Sequence, residues 1–319
     1  MKKAPLNSEN QQIVIKKNMT KKSTRSPLFY VGDKYKLMPQ LSELFPKNIN
    51  NYFDVFGGGG SASINTKAKH FYLNDIDTKV MELHHFLMEK STNIDQFIFD
   101  MRFLIQEYGL SHSELGPNIE IEKLKKEFKK TYFAKYNKTG YLKLRSDYNT
   151  NKERTELLYL LLIYGFNHMI RFNRKGDFNL PVGNVDWNAN VSSALTEYAS
   201  WVNKNEITLT SLDFEDMIKR NFENNDFIYL DPPYLIRFSE YNKLWNEEHE
   251  QRLYQVLDEL DNKGVKWGVS NMVNDHQGNH NYILENWMKK YQVYQIKSNY
   301  ISHFDNTIKD TYDVYITNV

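Results

Sequence analysis

The sequence predicts an α/β protein, a doubly wound and mostly parallel seven-stranded sheet with an inserted, mostly helical segment. Three observations carry this expectation. Short apolar runs at 51–56, 70–74, 206–210, 226–230, 264–270, 292–298 and 311–318 alternate with helical patterns, the rhythm of a sheet covered by helices on both faces. Two of these runs stop abruptly in residues suited to ligand contact, with an ordinary turn (for the second, a Pro-Pro turn with a solvated Asp) as the bland alternative. Between about 81 and 165 the rhythm is broken by helical periodicity, including 94–108 and 153–164.

The first run, Tyr52-Phe53-Asp54-Val55-Phe56, leads into Gly57-Gly58-Gly59-Gly60-Ser61. Consecutive glycines after a strand allow a sharp turn and a close approach of backbone to a bound molecule. The loop has neither GxGxxG spacing nor the GK[ST] of a phosphate loop, and a plain tight turn is the bland alternative. The next strand, His70 to Leu73, ends in Asn74-Asp75. An acidic residue roughly 20 positions beyond a glycine loop is where nucleotide-type α/β folds hold a ribose hydroxyl. A helix N-cap is the structural alternative for the same Asp.

Phe227-Ile228-Tyr229-Leu230 ends in Asp231-Pro232-Pro233-Tyr234. Pro cannot donate to a sheet ladder, so the pair terminates the strand and stiffens the chain at the carboxyl edge, where open α/β sheets place ligands. A carboxylate, a free Pro carbonyl and an aromatic ring suit a flat, amino-bearing heterocycle, with two acceptors for its NH2 group and a ring face for stacking. With Asp75 and the glycine loop in the same chain, a nucleoside-containing cofactor is expected. The last two strands are joined by a connection too short and polar for a crossover helix, so an antiparallel edge is expected. Asn184 to Asn190 reads as loop.

Composition sets bounds. The 319 residues are 40% hydrophobic and 14% aromatic, enough for a real core and room for one large α/β domain with an insertion. No apolar run is long enough to span a bilayer, and no charged stretch leads into an apolar leader; a cytoplasmic, metal-independent enzyme is the default expectation. The absence of cysteine removes thiolate metal sites and thiol nucleophiles.

A net charge of +1 hides strong clustering. Residues 1–25 carry Lys2, Lys3, Lys16, Lys17, Lys21, Lys22 and Arg25 against Glu9, and are expected to be a flexible basic arm. Lys123, Lys125, Lys126, Lys129, Lys130, Lys135, Lys138, Lys143, Arg145, Lys152 and Arg154 face only Glu127, Asp147 and Glu153 in the middle segment. Such clustering is the footprint of a phosphate-backbone partner, although 123–130 taken alone reads as a solvated helix face. Interleaved Tyr132, Phe133, Tyr136, Tyr141 and Tyr148 point the wider segment toward nucleic acid. Phe166 to Gly183 reads as a helix end and a punctuated loop. In it Arg171 can fork onto guanine O6 and N7, Met169 and Pro181 can touch a thymine methyl, and Phe166 is a candidate wedge between base steps. A core Phe, a surface Arg and a turn Pro are the bland alternatives.

In this order the motifs resemble the amino-methyltransferases that use S-adenosylmethionine, in particular the D12-class DNA adenine methyltransferase (Dam) family, with the T-even phage type nearest. The likeness runs from about Leu28 to the C-terminus. It is carried by Tyr30-Val31-Gly32-Asp33-Lys34, Phe45-Pro46-Lys47, Leu142 to Asn149, Gly165 to Arg171, Asp231 to Ile236 and Tyr241-Asn242-Lys243. Residues 1–26 have no counterpart, and Asp33 stands where the family often has Gly or Asn. The resemblance implies a Rossmann-like catalytic domain (26–80 and 184–319) and a target-recognition subdomain (81–183). It implies Asp231, Pro232, Pro233 and Tyr234 as catalytic residues. Tyr30, Lys34, Phe56, Gly57, Gly58, Gly59, Asp75, Phe214 and Asp231 would hold S-adenosylmethionine, with no metal. Arg145, Phe166, Asn167, Met169, Arg171 and Pro181 would contact double-stranded DNA, with GATC as the target and a flipped-out adenine methylated on N6. A cognate restriction endonuclease is a candidate partner.

Three rivals follow from the same residues. Asn-Pro-Pro-Tyr enzymes methylate protein glutamine, which Asp231 and the base-reading segment argue against. Methylation of cytosine N4 or of RNA shares the exocyclic-amine chemistry. A catalytically silent DNA-binding module would have no use for an intact Asp-Pro-Pro-Tyr.

Overall fold

The structure, a computed structural model, describes residues 23–237, 245–297 and 311–319. Its centre is a seven-stranded sheet formed by β1 (Asn51–Asp54), β2 (His70–Asn74), β3 (Glu206–Thr210), β4 (Phe227–Leu230), β5 (Lys266–Asn274), β6 (Gln292–Ile296) and β7 (Tyr312–Thr317), in the order β3-β2-β1-β4-β5-β7-β6. The first five strands in that order pair in parallel, and β7 runs antiparallel to both β5 and β6. The expected antiparallel element is therefore present. It lies one strand inside the edge, because the last strand inserts between β5 and β6.

Alternation along the central strands decides which helices cover which face. Tyr52, Phe71, Phe227, Tyr229 and Tyr315 pack on one side with Leu37, Met38 and Leu41, the last two on α1 (Met38–Leu44). Phe53, Ile228, Leu230 and Trp267 point to the other side. There they meet α9 (Phe214–Ile218), α10 (Glu247–Asn262) and α11 (Tyr282–Trp287) through residues such as Met217, Leu253, Leu257 and Leu284. β4 is buried at every residue, as a central parallel strand requires.

A second core is mostly helical. α3 (Thr78–Lys90), α4 (Ile94–Glu107), α6 (Tyr132–Thr150) and α8 (Ala189–Val202) surround α7 (Thr155–Tyr164). From Leu157 to Tyr164 every residue of α7 is buried, so its apolar run forms a central helix rather than one face of a surface helix. Tyr159 donates to the Pro27 carbonyl at 3.0 Å and Tyr164 to the Ser111 carbonyl at 2.6 Å. Both phenols are thereby satisfied inside this core.

Several expectations change here. Tyr141 and Tyr148, counted among aromatics facing nucleic acid, are fully buried and belong to this core; their 3.6-residue spacing with Leu144 is core packing. Tyr132, Phe133 and Tyr136 stay half-exposed, while Lys123, Lys125, Lys126, Lys129 and Lys130 are exposed on and after α5 (Ile119–Phe128). The 184–190 loop ends earlier than expected, since Asn188 caps α8 by accepting from the Asn190 amide. Thr24 and Arg25 are tied down, with the Thr24 amide on Asn65 Oδ1 at 2.8 Å and the Arg25 guanidinium 4.4 Å from the Phe29 ring centre. Residues 1–22 and the Tyr241-Asn242-Lys243 match lie outside the described residues.

One close contact tests the sheet's antiparallel side. A Cβ at Gly268 would lie 2.0 Å from the Tyr315 hydroxyl and 2.5 Å from its ring, on the paired strands β5 and β7. Gly268→Ala should cost about 1–3 kcal/mol by overpacking. Urea unfolding should show a lower midpoint with an unchanged slope, and an unshifted midpoint would refute the packing.

Candidate functional site

The carboxyl ends of β1, β2 and β4 open into a cavity of about 820 Å³. Near these strand ends a buried side chain holds one strand to the next. Buried Asn74, the last residue of β2, donates to the Val55 carbonyl at 2.9 Å and the Leu212 carbonyl at 3.0 Å, and accepts from the Leu212 amide and the Thr210 hydroxyl. One amide thus links the strand ends of β1, β2 and β3.

The glycine loop is fixed from three directions. The Gly57 amide donates to the Asn74 carbonyl at 2.7 Å, and a Cβ at Gly57 would lie 2.2 Å from Leu73 Cδ1. Gly58 has a φ of +48°, which favours glycine, and its amide donates to Asp75 Oδ2 at 2.8 Å. The other Asp75 oxygen accepts from the Asp77 amide. Asp77, not Asp75, caps α3, so the capping alternative for Asp75 falls away. From beneath, fully buried His84 on α3 lies 2.8 Å from the Gly58 carbonyl through Nε2 and 3.2 Å from the Tyr198 hydroxyl through Nδ1. A carbonyl only accepts, so Nε2 carries the proton. Burial pulls the His84 pKa down to about 4, which keeps the ring neutral.

Asp231 follows β4 and lies among charges. Its Oδ2 is 2.5 Å from the Lys34 ammonium, and its Oδ1 accepts from the Tyr234 hydroxyl at 3.3 Å. Lys34, only 8% exposed, also donates to the Gly32 carbonyl and lies 5.1 Å from the Tyr234 ring centre. Burial raises the pKa of Asp231 while Lys34 opposes the shift. Asp54, at the end of β1, accepts from Ser63 Oγ at 2.7 Å; burial lifts its pKa to about 7 against that bond, and nearby Asp231 adds to the rise. Burial likewise raises Asp75, to about 6, and Asp33. Asp33, Asp54, Asp75 and Asp231 line the one cavity together with Asp77 and Asp213, so a cation entering it would meet six carboxyl groups.

The opposite wall is aromatic. Phe56 and Phe214 stack at 5.8 Å, and Trp245 meets them at 5.7 and 5.9 Å. The Trp245 indole N–H donates to buried Glu250 at 2.6 Å, whose other oxygen accepts from Tyr254, Asn271 and Asn281.

Of the residues singled out in the sequence, Tyr30, Lys34, Phe56, Gly57, Gly58, Gly59, Asp75, Phe214, Asp231, Pro232, Pro233 and Tyr234 all line this cavity, together with Met169 and Arg171. Arg145, Phe166, Asn167 and Pro181 do not. They gather beside it instead: the Phe166 amide donates to the Pro181 carbonyl at 3.0 Å and Arg145 to the neighbouring Leu180 carbonyl at 3.4 Å. Phe166 is 46% exposed, and the next two residues, Asn167 and His168, have φ near +50°, a left-handed turn that Asn tolerates better than most. Sequence reasoning missed Asp54, His84 and Trp245. A carboxylate inside the apolar run of β1 was the available signal for Asp54; His84 and Trp245 had none. Among the described residues no group of three or more His, Cys, Asp or Glu is placed to hold a metal ion, and no helix is long and apolar enough to cross a membrane.

Comparison with known proteins bears on this geometry. Residues 30–301 match the family model of the D12 class N6 adenine-specific DNA methyltransferase. The type II methyltransferase M.FokI of Planomicrobium okeanokoites is 31% identical over 318 residues, covering 97% of this chain and 45% of that protein. Modification methylase StsI of Streptococcus sanguinis is 33% identical over 316 residues, 95% of this chain and 44% of that protein. The DNA adenine methylase of Salmonella typhi is 24% identical over 216 residues, 67% of this chain and 66% of its own length. The chain therefore spans less than half the length of the first two relatives. With the motifs gathered in one cavity and most of its length matched, this chain belongs to the D12 class N6 adenine-specific DNA methyltransferase family.

Proposed function

We propose that this chain transfers a methyl group from S-adenosylmethionine to adenine N6 in double-stranded DNA, on a base flipped out of the duplex. The observation that carries the reading is the meeting of Asp231-Pro232-Pro233-Tyr234, the glycine loop with Asp75, and Arg171 around one cavity. The cofactor fits that cavity's chemistry. Asp75 suits a ribose hydroxyl, Phe56 and Phe214 with Trp245 suit an adenine face, and the carboxylates suit a cation. When bound, S-adenosylmethionine supplies an electrophilic methyl on a sulfonium.

The protein's part is positioning and electrostatics. The adenine amino group is a poor nucleophile because its lone pair is delocalised into the ring. Asp231 and the Pro232 carbonyl accept its two hydrogens, hold the nitrogen in line and favour positive charge growing on it. A carboxylate offers about four lone-pair sites, so Asp231 can keep Lys34 and Tyr234 and still accept from the base. Lys34 counteracts the burial of Asp231 and so favours the ionised form that this role needs. Tyr234 stacks on the base, which a duplex would otherwise hide.

The catalytic domain comprises 26–80 and 184–319, with 81–183 as the target-recognition part. Phe166, Asn167, Met169, Arg171, Pro181 and Arg145 act there, supported by their clustering at the cavity and beside it. The likeness of Phe166, Met169, Arg171 and Pro181 to the T-even phage type supports GATC as the target. The names of two relatives, a type II methyltransferase and a modification methylase, support a restriction–modification setting with a cognate endonuclease, in the cytoplasm.

Three outcomes test this reading. Asp231→Ala should lower the single-turnover rate at least about 100-fold; a near-normal rate, or nucleoside analysis showing N4-methylcytosine in place of N6-methyladenine, would overturn the assignment. Affinity for S-adenosylmethionine should rise from pH 5.5 to 8. The acids raised to about 7 (Asp54) and about 6 (Asp75) ionise across that range, and a cation binds their charged forms better, releasing protons. Calorimetry showing a flat profile would remove them from the cofactor's surroundings. Sequencing of methylated plasmid should place N6-methyladenine at GATC; a different motif would overturn the target while leaving the chemistry intact.

A further inference from the structure

We propose that Asn179 is a positioning residue for specificity: it grips one edge of the Arg171 guanidinium so that only the opposite edge can reach a base. This rests on the reading of Arg171 as the guanine reader. Arg171 Nε donates to Asn179 Oδ1 at 2.9 Å, and Nη2 donates to the Asn179 carbonyl at 2.8 Å. The Asn179 amide in turn donates to the Arg171 carbonyl at 3.0 Å. One residue therefore holds both the backbone and the side chain of the arginine.

A guanidinium has two edges that can make paired hydrogen bonds, one from Nε and an Nη, the other from the two Nη groups. Asn179 consumes the first. Among the described residues, Nη1 and the second hydrogen of Nη2 make no bond to the protein, and their spacing matches guanine O6 and N7. A free arginine would lose rotamer entropy on docking and could turn either edge toward a base; a clamped one has already lost that freedom.

Asn179 is itself held firmly. It lies between buried Phe178 and Leu180. Asn149 of α6 accepts from the Phe178 amide at 2.7 Å and donates to its carbonyl at 3.0 Å, while Phe178 pairs with Phe172 across the hairpin. The helical core thus fixes Phe178, Phe178 places Asn179, and Asn179 aims Arg171 at the cavity rim.

The test compares methylation of the cognate site with sites changed at each base pair, for the wild type, Arg171→Ala, Asn179→Ala and Asn179→Asp. Arg171→Ala should lose discrimination at one base pair. Asn179→Ala should lose roughly tenfold at that same base pair, part of what a bidentate contact supplies, through KM and kcat on the altered sites and with unchanged cofactor affinity. Asn179→Asp retains the acceptor and should retain discrimination. Loosening of the hairpin alone would weaken all sequences equally, and that pattern overturns the proposal. Wild-type discrimination in Asn179→Ala beside a relaxed Arg171→Ala also overturns it. Unchanged discrimination in Arg171→Ala overturns the base-reading role itself, and the clamp with it. Should Asn179→Ala fail to fold, Asn179→Gln, which shifts the acceptor by one methylene, carries the same comparison and should also lose discrimination.

Discussion

Everything at this site depends on keeping the Asp231 carboxylate in a buried place that also holds Asp33, Asp54 and Asp75. Burying one carboxylate is costly without a paired charge and hydrogen bonds. Here Lys34, 2.5 Å away and almost fully enclosed, is the ammonium paired with Asp231. The other carboxyls meet the cost differently. Asp75 takes two backbone amides and Asp54 a serine hydroxyl, and burial still raises the pKa of each. The result is a cavity biased toward a cation yet able to exist without one, since part of its acid can hold protons until a positive ligand arrives.

A second constraint is the rigidity of the glycine loop. Glycines give the loop its conformation and nothing to hold it in place, so the stiffness comes from neighbours. Asp75 takes the Gly58 amide and His84 the Gly58 carbonyl, so both polar groups of that peptide position are bonded from opposite sides. His84 also contacts Tyr198 on α8, which packs in the helical core with α7. The loop at the end of a sheet strand is thus fixed partly by helices that do not belong to the sheet.

The segment around Phe166 follows the same logic. Its exposed features, Phe166 and the left-handed turn after it, sit on a frame of buried residues from α6, α7 and the 172–178 hairpin. Tyr141 and Tyr148 are part of that frame. Their burial separates two groups that composition had merged: aromatics packed in the helical core and aromatics left exposed.

All seven strands were legible in the sequence, because a short apolar run bounded by turn residues has few other stable uses, and so was the central helix at 155–164. Two motifs at the cavity, Asp231-Pro232-Pro233-Tyr234 and the glycine loop, stood out equally, since they are local and their chemistry follows from adjacent residues; Asp54 and Trp245, which also line it, did not. What the tertiary structure decided was every relation between distant segments. That β7 inserts between β5 and β6, that Lys34 faces Asp231, that His84 lies under Gly58, that Trp245 closes the aromatic wall and that Asn179 holds Arg171 all arise from packing. Periodicity reports which face of an element is buried; it carries no information about which side chain from elsewhere will be pressed against that face.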